Sequence, residues 1–315
     1  MLAWMLNIAG LLAILTVVMF YVGGRIALAS KPPATPTVTA TKPSFNVIAT
    51  MPTQEPPRVV PSITPDPLAT PLPNTAPTPF FLASGRRGTT IGLSVLGRPI
   101  EVYTFGQGDR QLLMVAGIHG GYEWNTITLA DEMIIYLDAH PEMIPDDVTL
   151  YIIRDINPDG AARSHTDEGR VNENRVDLNR NFPTNWKAEW NRDGCWNDTY
   201  TTSGTTPGSE SETKTVMRFF ASHHISAAIS YHSAALGIFP GGTPWDADSK
   251  RLAKTIAEVA SYPYPPVETG CIYTGTLADY AVSMGAAAVD MELSNHHDTD
   301  FEMNLNVLNA FLNWR

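Results

Sequence analysis

Three polar groups interrupt apolar runs where side chains can be aimed at a single point. In 115-VAGIHGGYEWNT-126, His119 follows an apolar run and Glu123 stands four residues on. In 229-ISYHSAA-235, His232 closes a second apolar run. In 289-VDMELSN-295, Asp290 and Glu292 alternate with Val289, Met291 and Leu293. Two carboxylates on one face of an apolar strand are costly to bury unless they are paired, protonated or near a metal. Two histidines and a glutamate, with a second glutamate close by, are the inventory of a catalytic zinc site. Three protein ligands hold the ion, water takes the fourth position, and a free carboxylate acts as base. Read alone, 115–126 is equally a strand–turn–helix corner with a satisfied histidine.

A fourth stretch, 154-RDINPDGAARSHTDEGRVNENRVDLNRNFP-183, sets Arg170, Arg175 and Arg180 among Asn172, Asn174, Asn179 and Asn181. Arginine forks bind carboxylates bidentately, and asparagine adds amide donors. A charged loop is ordinarily just solvated. Here Pro158-Asp159-Gly160 and the run from Asp177 to Pro183 read as fixed turns rather than a tether.

The elements that must position these groups follow from periodicity. Strands are expected at 99–105, 111–117, 148–155, 226–232 and 286–293. Helices are expected at 124–140, 211–224, 246–260, 276–284 and 300–314. The first helix should turn Ile127, Leu129, Ile134, Ile135 and Leu137 toward a sheet. Strand–helix alternation implies an α/β fold with a mixed, largely parallel central sheet and helices on both faces. Residues 156–210 lack periodicity, and so long a loop in a compact domain is usually functional. A strand ending in His119, followed by glycines that allow a sharp turn, places its ligands where open α/β sheets place theirs, at the carboxyl ends of strands.

The N-terminal quarter is different. Residues 8–22 are almost all apolar and, with the preceding residues, reach the ~20 needed to cross a bilayer. Residues 1–29 are therefore expected to be a signal peptide, with an Ala27-Leu28-Ala29 cleavage site, or a membrane anchor. Arg25 and Lys31, after the apolar run, argue weakly for a cytoplasmic C-terminal side. Residues 30–79 hold 14 of the 25 prolines and read as a disordered Pro/Thr-rich linker, a stalk rather than a core. Residues 80–315 are one domain's worth of chain. With 30 acidic and 17 basic residues from 80 onward, a balance of −13, that domain is unsuited to nucleic acid. Cys195 and Cys271 would pair in an exported protein, and would otherwise be two free thiols.

Six motifs, in order, resemble the zinc carboxypeptidases of the carboxypeptidase A type, most nearly the short bacterial branch that includes murein-peptide amidases. They are His-Gly…Glu-Trp at 119–124, Asn-Pro-Asp-Gly at 157–160, Val-Asp-Leu-Asn-Arg-Asn-Phe-Pro at 176–183, Ser-Glu-Ser-Glu-Thr at 209–213, Tyr-His-Ser at 231–233, and Glu292. The resemblance spans residues 88–315. It implies one Zn2+ per chain, held by His119, Glu123 and His232, with Asp177 orienting His119. It implies that Glu292 takes a proton from a zinc-bound water and passes one to the leaving amine, while Arg170 steadies the oxyanion. Asn179 and Arg180 would grip a terminal carboxylate, and Tyr273 would close over the substrate, although it stands about two residues nearer Asp279 than in the digestive enzymes. Ala278 falls where the family sets side-chain preference, and its lack of charge argues against basic ends.

The sequence departs from the family at one ligand. The usual His-x-x-Glu is here His-Gly-Gly-Tyr-Glu, so Glu123 must serve in place of a carboxylate at 122, with Gly120-Gly121 absorbing the extra residue. The resulting expectation is an extracytoplasmic, anchored or secreted zinc metallocarboxypeptidase, bound to the membrane through residues 1–29 if they are uncleaved. Its partner would be a peptide or murein peptide, cut before a residue with a free carboxylate or at a γ-glutamyl–diaminopimelate bond. The alternatives are a zinc acyl-amino-acid deacylase, which usually lacks the Asn-Arg pair, and a non-catalytic tethered peptide-binding domain. His140 and His165 read as solvated, and His296 and His297, which follow the Glu292 strand, as loop residues or as part of the cleft rim.

Overall fold

The structure, a computed structural model, describes residue 82 and residues 84–315. The apolar segment at 1–29 and the linker at 30–79 lie outside the described residues. Among the described residues, no helix is long and apolar enough to cross a membrane.

Seven strands form one sheet: β1 (Thr89–Leu93), β2 (Pro99–Gly106), β3 (Arg110–Val115), β4 (Val148–Ile153), β5 (Ile225–Ser233), β6 (Ile238–Pro240) and β7 (Ala287–Leu293). Their order is β1-β2-β4-β3-β5-β7-β6. The central run β4-β3-β5-β7 is parallel, whereas β1, β2 and β6 pair antiparallel at the two sides. Parallel central strands are buried on both faces and read as continuous apolar runs, which is why β3, β4 and β5 stand out in the sequence. The helices are α1 (Trp124–Ala139), α2 (Pro158–Arg163), α3 (Ser211–Ser222), α4 (Ala247–Ala257), α5 (Leu277–Ser283) and α6 (Phe301–Asn313).

Helices cover both faces, and each face has its own core. On one side, Leu129, Met133 and Leu137 of α1, Leu252 and Ile256 of α4 and Leu308 and Phe311 of α6 meet Ile229 and Met291 of the sheet. On the other, Val216 and Phe219 of α3 and Leu277 and Ala281 of α5 meet Leu113, Val115 and Ala228. Burying each such side chain contributes roughly 1.5–3 kcal/mol. Ile135, expected on the sheet side of α1, is 52% exposed instead. The 3.6-residue period carries it around to solvent, away from Ile134.

Two strands and a helix stand outside the expected set. β1 joins β2 across a short turn in which Ser94 N–H donates to Arg98 O at 2.9 Å. β6, three residues long, covers the edge of β7. The segment 156–210 is pinned, not loose. Pro158 starts α2, capped by Asn157 Oδ1, which accepts Gly160 N–H at 3.0 Å. Val176 bridges Thr202, and single helical turns form at 167–169 and 178–180.

Candidate active site

The carboxyl ends of β3, β5 and β7 open on one edge of the sheet. β5 and β7 run in register with His232 opposite Glu292 and Ser230 opposite Asp290. On both strands the alternate residues, Ile229 and Tyr231 or Val289 and Met291, turn to the core on the other face. The pleat thus delivers the four polar side chains to one side.

His119 comes from the turn between β3 and α1. Gly120 has φ +44°, and both glycines lie against the polar segment. A Cβ on Gly120 would stand 2.7 Å from Gly169 O, and one on Gly121 would stand 1.9 Å from Ser164 O. No side chain fits at either position while that segment keeps its place. The turn takes up the extra residue, because Tyr122 N–H donates to His119 O at 3.1 Å and Glu123 comes back to 2.7 Å from His119 Nδ1.

Donor atoms of His119, Glu123 and His232 lie within 4.8 Å of one another, all buried. His232 Nδ1 is 3.3 Å from His119 Nδ1 and 3.2 Å from Glu123 Oε2. Glu123 Oε2 is buried without a hydrogen bond. On the far side of its ring, His119 Nε2 lies 3.1 Å from Asp177 Oδ1, a contact that in the Nε2–H tautomer turns the Nδ1 lone pair toward Glu123 and His232. Two imidazole nitrogens and an unsatisfied carboxylate facing one point suit zinc. The three side chains expected as ligands are therefore brought together despite the unusual spacing.

The electrostatics follow from burial and partners. Burial raises the Glu123 carboxyl, but the imidazoles of His119 and His232 outweigh it and hold the group well below the usual range. Burial also raises Asp177, yet Arg170 and His119 pull it far down. Burial lowers His232, but Asp290 and Glu123 overcome this and push it up to about 10. Glu292 is pushed up to about 8, by burial first and then by the negative charge of Glu123. A carboxyl poised so near neutrality suits acid–base work.

Arg170 is buried beside the His119–Glu123–His232 cluster. It donates from Nη2 to Asp177 Oδ2 at 3.1 Å and from Nη1 to Glu123 Oε1 at 3.1 Å. Asn179 and Arg180 sit on the turn that begins at Asp177, whose Oδ1 accepts Asn179 N–H at 2.9 Å. Asn179 Oδ1 accepts Leu277 N–H at 2.8 Å, at the start of α5. The Tyr273 ring lies 5.3 Å from the Arg180 guanidinium carbon and edge-on to Phe239. Glu123, Arg170, Asn179, Arg180, Tyr273 and Phe239 line one cavity of about 470 Å³.

The same cavity is lined by further residues, of which Trp196, Leu236, Phe239 and Ile272 are not singled out in the sequence. Trp196 lies 4.5 Å from the Arg170 guanidinium carbon and donates from Nε1 to Tyr122 Oη at 2.9 Å. His296, read from the sequence as a loop or cleft-rim residue, lines the cavity and packs on Tyr122. Its place four residues past Glu292 is the signal for the rim reading. Leu236, Phe239, Ile272 and Ala278 form the apolar walls. Cys195 and Cys271 are bonded to each other, which ties the Trp196 loop to the Tyr273 loop.

The zinc carboxypeptidase family model matches residues 86–307. The chain is 29% identical to mast cell carboxypeptidase A of Rattus norvegicus over 243 residues, 68% of this chain and 57% of that protein. It is 32% identical to murein peptide amidase A of Escherichia coli over 150 residues, 45% of this chain and 57% of that one. The chain thus spans little more than half the length of these curated relatives. Murein-tripeptide amidase from Escherichia coli O157 shares the fold with a TM-score of 0.53 at 23% identity, over 72% of this chain and 92% of that chain. Carboxypeptidase A from Helicoverpa armigera does so with a TM-score of 0.57 at 19% identity, over 71% and 66%. The family match takes in most of the chain and contains every residue of the buried His-Glu-His cluster, so this protein belongs to the zinc carboxypeptidase family.

Proposed function

We propose that the protein is a metallocarboxypeptidase that hydrolyses the amide bond before a residue bearing a free carboxylate. The observation that carries this reading is the convergence of His119, Glu123 and His232 on one point of a cavity that Arg170, Asn179, Arg180, Tyr273 and Glu292 also line. His119, Glu123 and His232 would hold zinc, which when bound supplies a Lewis acid for the scissile carbonyl and for water.

The remaining work falls to the chain's own residues. Glu292 accepts a proton from the attacking water and returns one to the leaving amine. Arg170, anchored by Asp177, donates to the oxygen that gains charge; losing such a donor typically costs about 10²–10³ in rate. Asn179 and Arg180 hold the terminal carboxylate, which places the bond to be cut and rejects blocked ends. Tyr273 covers Arg180 and keeps water from that end. Asp177 fixes the ring of His119.

Two substrate classes fit this site: ordinary peptides trimmed from the C-terminus, and cell-wall peptides cut at a γ-glutamyl–diaminopimelate bond. Similarity to murein peptide amidase A favours the second. The Asn179–Arg180 pair weighs against an acyl-amino-acid deacylase. An exported location, anchored or secreted, fits the Cys195–Cys271 bridge. The test is mass spectrometry of peptides with free and amidated C-termini, plus a γ-glutamyl-diaminopimelate tripeptide, with and without chelator. Chelator-sensitive loss of one residue from free carboxylates alone is expected. Cleavage of amidated peptides, or no cleavage with zinc bound, would refute the reading.

A further inference from the structure

We propose that Trp196 is a positioning residue for the hydrolysis, holding the guanidinium plane of Arg170 so that its free N–H groups face the oxygen that gains charge. This role rests on the carboxypeptidase reading, in which Arg170 donates to that oxygen. Arg170 is buried, and three of its nitrogens are engaged. Nε and Nη2 donate to Asp177 Oδ2 at 3.3 and 3.1 Å, and Nη1 donates to Glu123 Oε1 at 3.1 Å. A guanidinium carries five N–H groups in its plane, so one remains free on each Nη. Where those two point depends on the tilt of the plane. Contacts with two carboxylates leave a plane free to rock about the line between them, whereas a surface against its face stops that motion. The indole of Trp196 supplies the surface, its ring centre 4.5 Å from the guanidinium carbon. The Tyr122 ring stands at 5.7 Å. A cation over an aromatic face is attracted by the ring quadrupole, most strongly over indole and away from water.

Such a surface must itself be held, and Trp196 is held at two points. Its Nε1 donates to Tyr122 Oη at 2.9 Å, and the preceding residue, Cys195, is bonded to Cys271. The rings of Trp196 and Tyr122 lie 5.3 Å apart and are tilted by 59°, so they meet as a corner. Tyr122 belongs to the turn that carries His119 and Glu123, where its N–H donates to His119 O at 3.1 Å. The long His-Gly-Gly-Tyr-Glu turn thereby supplies the acceptor that orients the indole. Arg170 is thus tied to the buried His-Glu-His cluster twice, through Glu123 at its rim and through Tyr122 and Trp196 at its face. Trp196 also lines the cavity, as a plain apolar wall would. A plain wall, however, needs neither the indole N–H bond nor the cation, and its worth does not depend on Arg170.

The test is a double-mutant cycle in the full-length zinc-loaded protein, with Trp196→Leu and Trp196→Phe each made alone and together with Arg170→Ala. Leucine keeps an apolar cover without an aromatic face, and phenylalanine keeps a face. The substrates are the free-carboxylate peptides and the γ-glutamyl-diaminopimelate tripeptide. Trp196→Leu should lower kcat by about 10–100-fold, less than the ~10²–10³ for losing the donor outright, with KM within about threefold. Trp196→Phe should recover most of that loss. With Arg170→Ala already present, Trp196→Leu should cost less than about twofold, because the group it holds is gone. An equal cost in both backgrounds would overturn the proposal and leave Trp196 as wall. So would a cost confined to KM, which would make the indole a substrate contact. Calorimetric titration with a peptide phosphinate, whose anionic tetrahedral centre mimics the charged oxygen, reads the same cycle without turnover. If no peptide is cut, a phosphinate affinity that shows the coupling upholds the clamp and removes the peptidase reading. No coupling, or no phosphinate binding, removes the clamp itself.

Discussion

His119 is held on both sides of its ring, by Glu123 at Nδ1 and by Asp177 at Nε2. Asp177 lies 3.1 Å from Nε2, placed to accept its N–H, and is itself fixed by Asn179 N–H and by two nitrogens of Arg170. Replacing Asp177 with asparagine keeps the size but removes the charge that holds the tautomer. Zinc affinity should fall by about 10–100-fold, read by competition with a chromophoric chelator. Unchanged affinity would mean that Asp177 serves Arg170 alone. The residues of this centre are legible in the sequence because each interrupts or ends an apolar run, as His232 and Glu292 do. The cavity walls are not. Leu236, Ile272 and Trp196 lie on irregular segments, where no period tells which way a side chain points. Glu123 is an intermediate case: its spacing fits no familiar pattern, and only the backbone path through Gly120 and Gly121 brings it back to His119.

Among the elements, the long amphipathic helices and the central strands announce themselves, within two residues at every end but one and within three there, through core positions such as Leu129 and Met133 or Ile229 and Met291. β1 and β6 do not, because they are short edge strands whose pairing comes from neighbours rather than from an apolar pattern. α2 hides in Asn-Pro-Asp-Gly, which reads as a turn until Asn157 is seen to cap it. The corner after β4 carries a testable cost. Asp155 is buried, and burial pushes its carboxyl up to about 7 despite the Arg154 charge. Its unfolded value is near 3.8, so between roughly pH 4 and 7 the folded state holds a proton that the unfolded state has lost. The contribution of Asp155 to stability therefore falls as pH rises through that window, by up to about 1.4 kcal/mol per unit, and is level above it. Urea unfolding of wild type and Asp155→Asn at pH 4.5 and 7.5 checks this. The variant should gain on the wild type at the higher pH, and a constant difference would mean that Asp155 is charged throughout.

At the scale of the molecule, one covalent link stands beside the two cores. The Cys195–Cys271 bridge closes a span of 76 residues between the loops that bear Trp196 and Tyr273. The sequence leaves this pairing open, since two cysteines that far apart can equally be free thiols. Breaking it, by reductant or by Cys195→Ser, should lower stability by about 2–5 kcal/mol, seen as an earlier urea midpoint. An unmoved midpoint would mean that the packed loops hold the cleft walls without it. The central claim is that a buried His-Glu-His cluster holds zinc for a hydrolysis in which Glu292 moves the proton. The most direct measurement compares zinc content and peptide turnover in the full-length protein and its Glu292→Gln variant. The account predicts one zinc per chain in both, with kcat lower by about 10²–10⁴-fold in the variant. Undiminished turnover by a zinc-loaded Glu292→Gln protein, or a wild type that takes up no zinc, would contradict it.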